Sequence, residues 1–330
     1  MDLALRPMST SQVLDRTFSL YRQNFLLFAG IAAFPPALLL IGQLLLLLVA
    51  RPFSQMSSAV PGDPPDPASF AAIGAAAIGF MVLWVIYLVG YAVAIGATVY
   101  AVSRVHLGYP ATIGESYRLI RPYFGNILGI VILAGLFASM IVIVGALFFI
   151  VPLVIGVAGG RSSLAAGAGL VGALVGFLIM GAGFIFAIYA SAKLSLSVPA
   201  CVLENLGVVD SMKRSWSLTE GTVLRLILVT FLAGVIAALV NLVLSIPYFV
   251  GVGLMIAKKN PSGMLPFVMW QYVAQFLASS LAGPVGTIAA ALIYYDQRVR
   301  KEAFDLQLMM QAIGQAPPQA ASVASPGSIG

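Results

Sequence analysis

Six nearly uninterrupted apolar stretches run along the chain, at about 25–50, 70–102, 127–157, 164–192, 224–256 and 266–295. Polar residues cluster between them. A helix needs about 20 mostly apolar residues to cross the roughly 30 Å hydrocarbon core of a bilayer, and each stretch is long enough. Barrel strands would instead show about ten residues of alternating polarity. Inside lipid every backbone polar group must be bonded within its own segment, so long apolar runs become helices. The pattern predicts an all-α membrane fold with six transmembrane helices.

Composition agrees. Of 330 residues, 61% are hydrophobic and 8% charged, against about a quarter charged in an average soluble domain. The mean hydropathy is +1.03. Such a chain has too few polar groups to cover a soluble surface and too little charge to be disordered. The first apolar run follows a polar stretch longer than a signal n-region and exceeds an h-region of about 7–15 residues. It reads as the first span. A single cysteine, Cys201, excludes an intramolecular disulfide, and the single histidine, His106, leaves little for a metal or general-base centre.

Charge sets the expected orientation. The N-terminus, the 103–123 and 193–225 loops and the C-terminus carry 13 of the 17 Lys and Arg. These are Arg6, Arg16, Arg22, Arg104, Arg118, Arg121, Lys193, Lys213, Arg214, Arg225, Arg298, Arg300 and Lys301. The opposite side has Arg51, Arg161, Lys258 and Lys259, the last two read as solvated loop charges. The positive-inside rule places both termini in the cytoplasm. Residues 1–314 form one six-span domain. The 51–69 connector, with Pro61, Pro64, Pro65 and Pro67, is polar and extended, and the tail over 315–330 is expected to be disordered.

A threefold repeat is expected over 9–104, 111–193 and 207–298. Leu14-Asp15-Arg16-Thr17-Phe18, Ser116-Tyr117-Arg118-Leu119-Ile120 and Met212-Lys213-Arg214-Ser215-Trp216 align without gaps, bringing Arg16, Arg118 and Arg214 together. Each second span ends alike, with Tyr100 before Arg104, Tyr189 before Lys193 and Tyr294 before Arg298. Each unit would be a short amphipathic helix followed by a two-helix hairpin. Ser9 with Gln12, and Thr112 with Glu115, have capping-box spacing. The short helices would lie in the inner headgroup layer, or pack on the inner mouths of the spans.

Within the spans, Ala168, Gly172 and Gly176, with Gly183 near the same face, form a ladder of small residues suited to close helix packing. Pro35, Pro36, Pro152, Pro247 and Pro284 should kink or interrupt their helices. Asn241, Gln271, Gln275, Tyr87 and Tyr91 are the main intramembrane polar groups. They serve interhelical hydrogen bonds or a small polar cavity. No charge lies deep in a span, which argues against an ion-driven transporter.

The candidate residues follow. Arg16, Arg118 and Arg214 are candidates for contact with lipid headgroups. Tyr100, Arg104, Tyr189, Lys193, Tyr294 and Arg298 are candidate interfacial anchors. Glu204, among Lys193, Lys213, Arg214 and Arg225, is a candidate for an ion pair holding the third short helix to the bundle. Cys201 reads as an apolar filler. No catalytic group, metal or cofactor is expected.

Several motifs resemble a known family. They are Leu5-Arg6-Pro7 with Val13-Leu14-Asp15-Arg16 and Leu20-Tyr21-Arg22-Gln23-Asn24-Phe25, Val198-Pro199-Ala200-Cys201-Val202-Leu203-Glu204-Asn205, Lys213-Arg214-Ser215-Trp216-Ser217-Leu218-Thr219 with Gly221, and Tyr294-Tyr295-Asp296-Gln297-Arg298-Val299-Arg300-Lys301-Glu302. The chain is similar to bacterial proteins of the glycerophosphoryl diester phosphodiesterase membrane-domain-like family, to about Leu308. The resemblance implies an integral membrane protein with several spans and no known activity, because the family's name comes from fusion to a separate phosphodiesterase domain. Metal-assisted phosphodiester cleavage needs carboxylates around a metal and proton-transfer groups, and His106 has no such cluster in sequence. The expectation is a non-catalytic protein of the bacterial inner membrane that binds or organises anionic lipid or membrane partners. The alternative is a transporter or channel for an apolar or amphipathic solute. Expected partners are membrane lipids and a further copy or another membrane protein, not nucleic acid.

Overall fold

The computed structural model describes residues 8–49, 67–158, 163–258 and 261–302. Leu5-Arg6-Pro7, Arg51, Pro61, Pro64, Pro65, Arg161, Lys259 and the 315–330 tail lie outside the described residues, as does the Ala168 side chain. The described residues form ten α-helices: α1 (Thr10–Gln23), α2 (Phe25–Val49), α3 (Pro67–His106), α4 (Ile113–Leu119), α5 (Phe124–Ala158), α6 (Ser163–Leu194), α7 (Ser197–Glu204), α8 (Val208–Leu218), α9 (Val223–Ala257) and α10 (Leu265–Glu302). Five helices are long and apolar enough to cross a membrane. A sixth is reached when Ile113–Leu119 and Arg121–Phe137, bent by 44° at their junction, count as one span. The fold is all-α and of membrane type. At about 1.5 Å per residue, α5 and α6 run about 50 Å, beyond the roughly 30 Å hydrocarbon core. Their ends therefore reach polar surroundings.

The starts of the short helices are written in the local sequence. The Ser9 hydroxyl accepts the Gln12 backbone N–H at 3.3 Å, and the Gln12 side chain accepts the Ser9 N–H at 2.8 Å. That is the complete box. Thr112 accepts the Glu115 N–H at 3.3 Å, but Glu115 reaches out to Arg104 at 3.9 Å, so this box forms by half. Counted from the N-cap residues Ser9, Thr112 and Gly207, Arg16 and Arg214 fall seven positions in and Arg118 six.

The long helices pack as antiparallel pairs, α2 with α3, α5 with α6 and α9 with α10, and α10 also lies along α2. α3 meets α5 and α6 meets α9, so the three pairs touch one another. α10 is central: 56% of its apolar window is buried, against 11–28% for the other four spans. The main core joins Leu20, Phe28, Ile31, Leu196, Leu218, Leu226, Ile288 and Leu292, at the end of the bundle where α1, α4, α7 and α8 sit. Large side chains along the middle of α5 and α6, such as Phe148, Phe177 and Phe184, are exposed. An uncovered apolar surface of this extent suits hydrocarbon, not water.

The prolines do not interrupt the helices. α2, α5, α9 and α10 run through Pro35 and Pro36, Pro152, Pro247 and Pro284. A proline lacks an N–H and displaces carbonyls of the preceding turn, and in lipid those carbonyls need other partners. At three of these prolines an aromatic donor from a neighbouring helix supplies one. The Tyr117 hydroxyl donates to the Ile31 carbonyl, four residues before Pro35, at 2.7 Å. The Trp270 indole N–H donates to the Leu244 carbonyl, three before Pro247, at 2.8 Å. The Tyr21 hydroxyl donates to the Leu281 carbonyl, three before Pro284, at 2.6 Å. α4 thus docks on α2, and α1 on α10, at proline sites.

The small-residue ladder closes the α5–α6 pair. A Cβ on Gly176 would stand 2.0 Å from the Phe148 carbonyl oxygen, and one on Gly172 2.5 Å from Pro152 Cβ. Close backbone approach replaces the missing hydrophobic drive between helices in lipid. Among the intramembrane polar groups, Asn241 donates to Gln275 at 3.1 Å and links α9 to α10.

Candidate functional site

One end of the bundle collects the charge. Met8, at the start of the described chain, and Asp296 on α10 are hydrogen-bonded, so the two ends of the described chain share this face. The arginines and lysines at the ends of α3, α6 and α10, at the start of α9 and on the short helices lie here too.

Two ion-pair knots hold the face together. In the first, Asp296 is 1% exposed. Its carboxylate takes Arg225 at 2.6 Å, Arg300 at 2.9 Å and the Met8 backbone N–H at 2.6 Å. The Met8 carbonyl in turn accepts from Arg225 at 2.8 Å and from Arg300 at 2.6 Å. In the second, Glu204 at the end of α7 receives Arg214 in a fork at 2.9–3.1 Å. It also accepts the Tyr294 hydroxyl and stands 3.6 Å from Arg298. Glu302 pairs with Arg214 and with Arg298. Burial would raise the Glu204 carboxyl. The Arg214 and Tyr294 hydrogen bonds and the two guanidinium charges outweigh it and hold the group below the ordinary carboxylate range.

Of the four cations grouped with Glu204 from sequence, only Arg214 pairs with it. Arg225 belongs to Asp296. Lys193 stands over the rings of Trp216, at 5.1 Å, and Tyr189, at 5.9 Å, and donates to the Trp216 carbonyl. Lys213 is exposed. Arg298, missed in that grouping, takes a place beside Glu204.

The three aligned arginines divide. Arg16 and Arg118 are exposed, whereas Arg214 is half-buried between two carboxylates. The Tyr-cation pairs divide as well. Tyr294 is fully buried and Lys193 is 4% exposed, so both bind helix to helix and neither reaches the bilayer. Arg298 lies over Tyr294 at 5.9 Å. Arg104 stands over Tyr109, at 4.9 Å, instead of Tyr100, and Tyr100 packs against the core. Tyr189 is exposed. His106 closes α3 and is not in a loop. Its ring lies 5.4 Å from that of Tyr295, and both its nitrogens are buried without a hydrogen-bond partner among the described residues.

The remaining cations define the face. Among the described residues, Arg104, Arg214, Arg225, Arg298 and Arg300 form the ion pairs, while Arg16, Arg22, Arg118, Arg121 and Lys213 are exposed and form none. These five sit on α1, α4, the 121–123 turn and α8. Beside them Phe18, Phe25, Leu119, Val209 and Trp216 are exposed too, and Leu26 is 80% exposed. No described group of three His, Cys, Asp or Glu side chains could hold a metal ion. Cys201 is buried.

No protein-family model, curated protein or solved structure matches this chain.

Proposed function

We propose that this is a multi-pass protein of a bacterial inner membrane, with both chain ends in the cytoplasm, whose basic face binds anionic lipid headgroups without catalysis. The observation that carries the reading is the set of five exposed, unpaired cations interleaved with exposed aromatic and aliphatic side chains on the short helices. A helix that shows water both charge and large apolar groups suits the layer where headgroups meet acyl chains. Each cation near an anionic leaflet gains about 1 kcal/mol. The acidic residues of the paired knots are already spent inside the protein, so the exposed charge is left for lipid. The headgroup role rests on Arg16 and Arg118, with Arg22, Arg121 and Lys213. Arg214 has the structural role instead. The resemblance to the glycerophosphoryl diester phosphodiesterase membrane-domain-like family fits a membrane protein of this kind.

The test uses the purified full chain in a neutral detergent. Phosphatidylglycerol is expected to raise its melting temperature, and phosphatidylcholine to leave it nearly unchanged, because a ligand that binds only the folded state stabilises it. Replacing Arg16, Arg22, Arg118 and Arg121 together with Gln should abolish most of that shift. A variant that keeps the full phosphatidylglycerol effect would overturn the reading.

A further inference from the structure

An apolar cleft of about 380 Å³ opens between α3, α5, α6 and α7, with Trp84, Tyr91, Gly135, Phe137, Ala190 and Val198 among its walls. A second groove of about 400 Å³ lies between α5, α6 and α8, where Met212, Lys213 and Trp216 meet Phe137 and Leu194. Phe137 and Leu194 line both spaces, so the two adjoin.

Dimensions and charge select the occupant. Along α3 the cleft runs from Trp84 to Ile95, eleven steps of about 1.5 Å, or about 17 Å. One leaflet of a roughly 30 Å hydrocarbon core is about 15 Å deep. The cleft is therefore about as long as one acyl chain in one leaflet. At one end Trp84, and on the facing wall Phe137, are both exposed, and its walls are overwhelmingly apolar. Its other end reaches Ser195 and Val198, at the charged face. There the adjoining groove presents exposed Lys213 together with Trp216, whose ring is backed from within by the buried Lys193 ammonium. Asp210, the one carboxylate on α8, forms no ion pair with Lys213 among the described residues. Indole at headgroup depth beside lysine is the arrangement that meets a lipid at its glycerol and phosphate.

We infer that the cleft holds one acyl chain of an anionic membrane phospholipid, whose phosphate is met by Lys213 at the mouth of the groove. The inference rests on the reading of the charged face as lipid-binding. It adds a single defined site to that diffuse surface.

Gly135 makes the test clean. It lines the cleft, and a Cβ there would meet nothing within 4 Å, so Gly135→Phe sets a bulky side chain on the cleft wall from an open position. The full chain is reconstituted in phosphatidylcholine vesicles with a minor fraction of phosphatidylglycerol bearing a photoreactive group on one acyl chain. Adducts are mapped by peptide mass spectrometry. In the wild type they should concentrate on 84–95 and 130–137, and Gly135→Phe should remove most of them while the melting temperature holds. Lys213→Gln, an exposed change, should reduce the preference for phosphatidylglycerol over a phosphatidylcholine probe at the same peptides about fivefold. Adducts spread evenly over all lipid-facing helices, or unchanged in Gly135→Phe, would sink the cleft site. If that happens while the four-arginine variant still loses its melting shift, the surface reading stands and only this site falls. A wild type without any phosphatidylglycerol shift would remove the surface reading itself.

Discussion

Glu204 brings together Arg214, Arg298 and Tyr294, side chains from α8 and α10. Removing its charge leaves two half-buried guanidinium groups to share Glu302. Hydrogen bonds to charged groups contribute about 1.5–3 kcal/mol each, so Glu204→Gln should destabilise the protein by about 2–3 kcal/mol, seen as a lower melting temperature in detergent. The pH dependence has a definite sign. The folded carboxyl lies below its unfolded value of 4.5. Its contribution is present above that value and is lost as pH falls through the folded one. The melting temperature should hold from pH 7 to about 5 and drop below that, and Glu204→Gln should flatten part of the drop. An equally steep acid limb in the variant would contradict this. The Glu204–Arg214 bond was legible in the sequence because only ten residues separate the partners across one turn between short helices. Arg225 was misassigned because its acceptor, Asp296, is 71 residues away and no local period marks the pair.

At the scale of the element, long helices were plain from their oily runs, and the ends of the first two short helices from Ser9 and Thr112. The docking of those helices was not. Tyr117 reaches Ile31 across 86 residues and Tyr21 reaches Leu281 across 260. In sequence these tyrosines look like any aromatic near a headgroup layer. Only the pairing of a proline with a distant donor explains why they point inward and why the helices persist through Pro35 and Pro284. The glycines of α6 were legible as a packing stripe, but their partners, Phe148 and Pro152, were not. Gly176→Leu should force α5 and α6 apart, since even a Cβ there collides with a backbone oxygen. Overpacking of this kind costs about 1–3 kcal/mol or more. A melting temperature equal to wild type would mean the two helices can separate freely.

For the whole molecule, the Met8–Asp296 contact puts both ends of the described chain on one face. The proposed cytoplasmic placement of that face rests on the distribution of charge. The one native thiol, Cys201, is buried, so it gives a low background for labelling. Single cysteines placed at exposed Arg22 and at Lys301 should both resist an impermeant maleimide added to intact spheroplasts, and both react once the membrane is opened. Reaction of both before opening would reverse the orientation, and reaction of one alone would place the two ends on opposite faces.

The Met8 clasp also imposes a timetable. Its partner Asp296 lies 288 residues further along the chain, and Arg300 later still. At synthesis rates of about 5–20 residues per second, roughly 15–60 s pass before the final helix emerges. Until then the Met8 amide lacks its Asp296 acceptor, and Arg225 has no carboxylate to neutralise it. A protein interrupted short of α10 would therefore leave Met8 and Arg225 without the carboxylate that joins them.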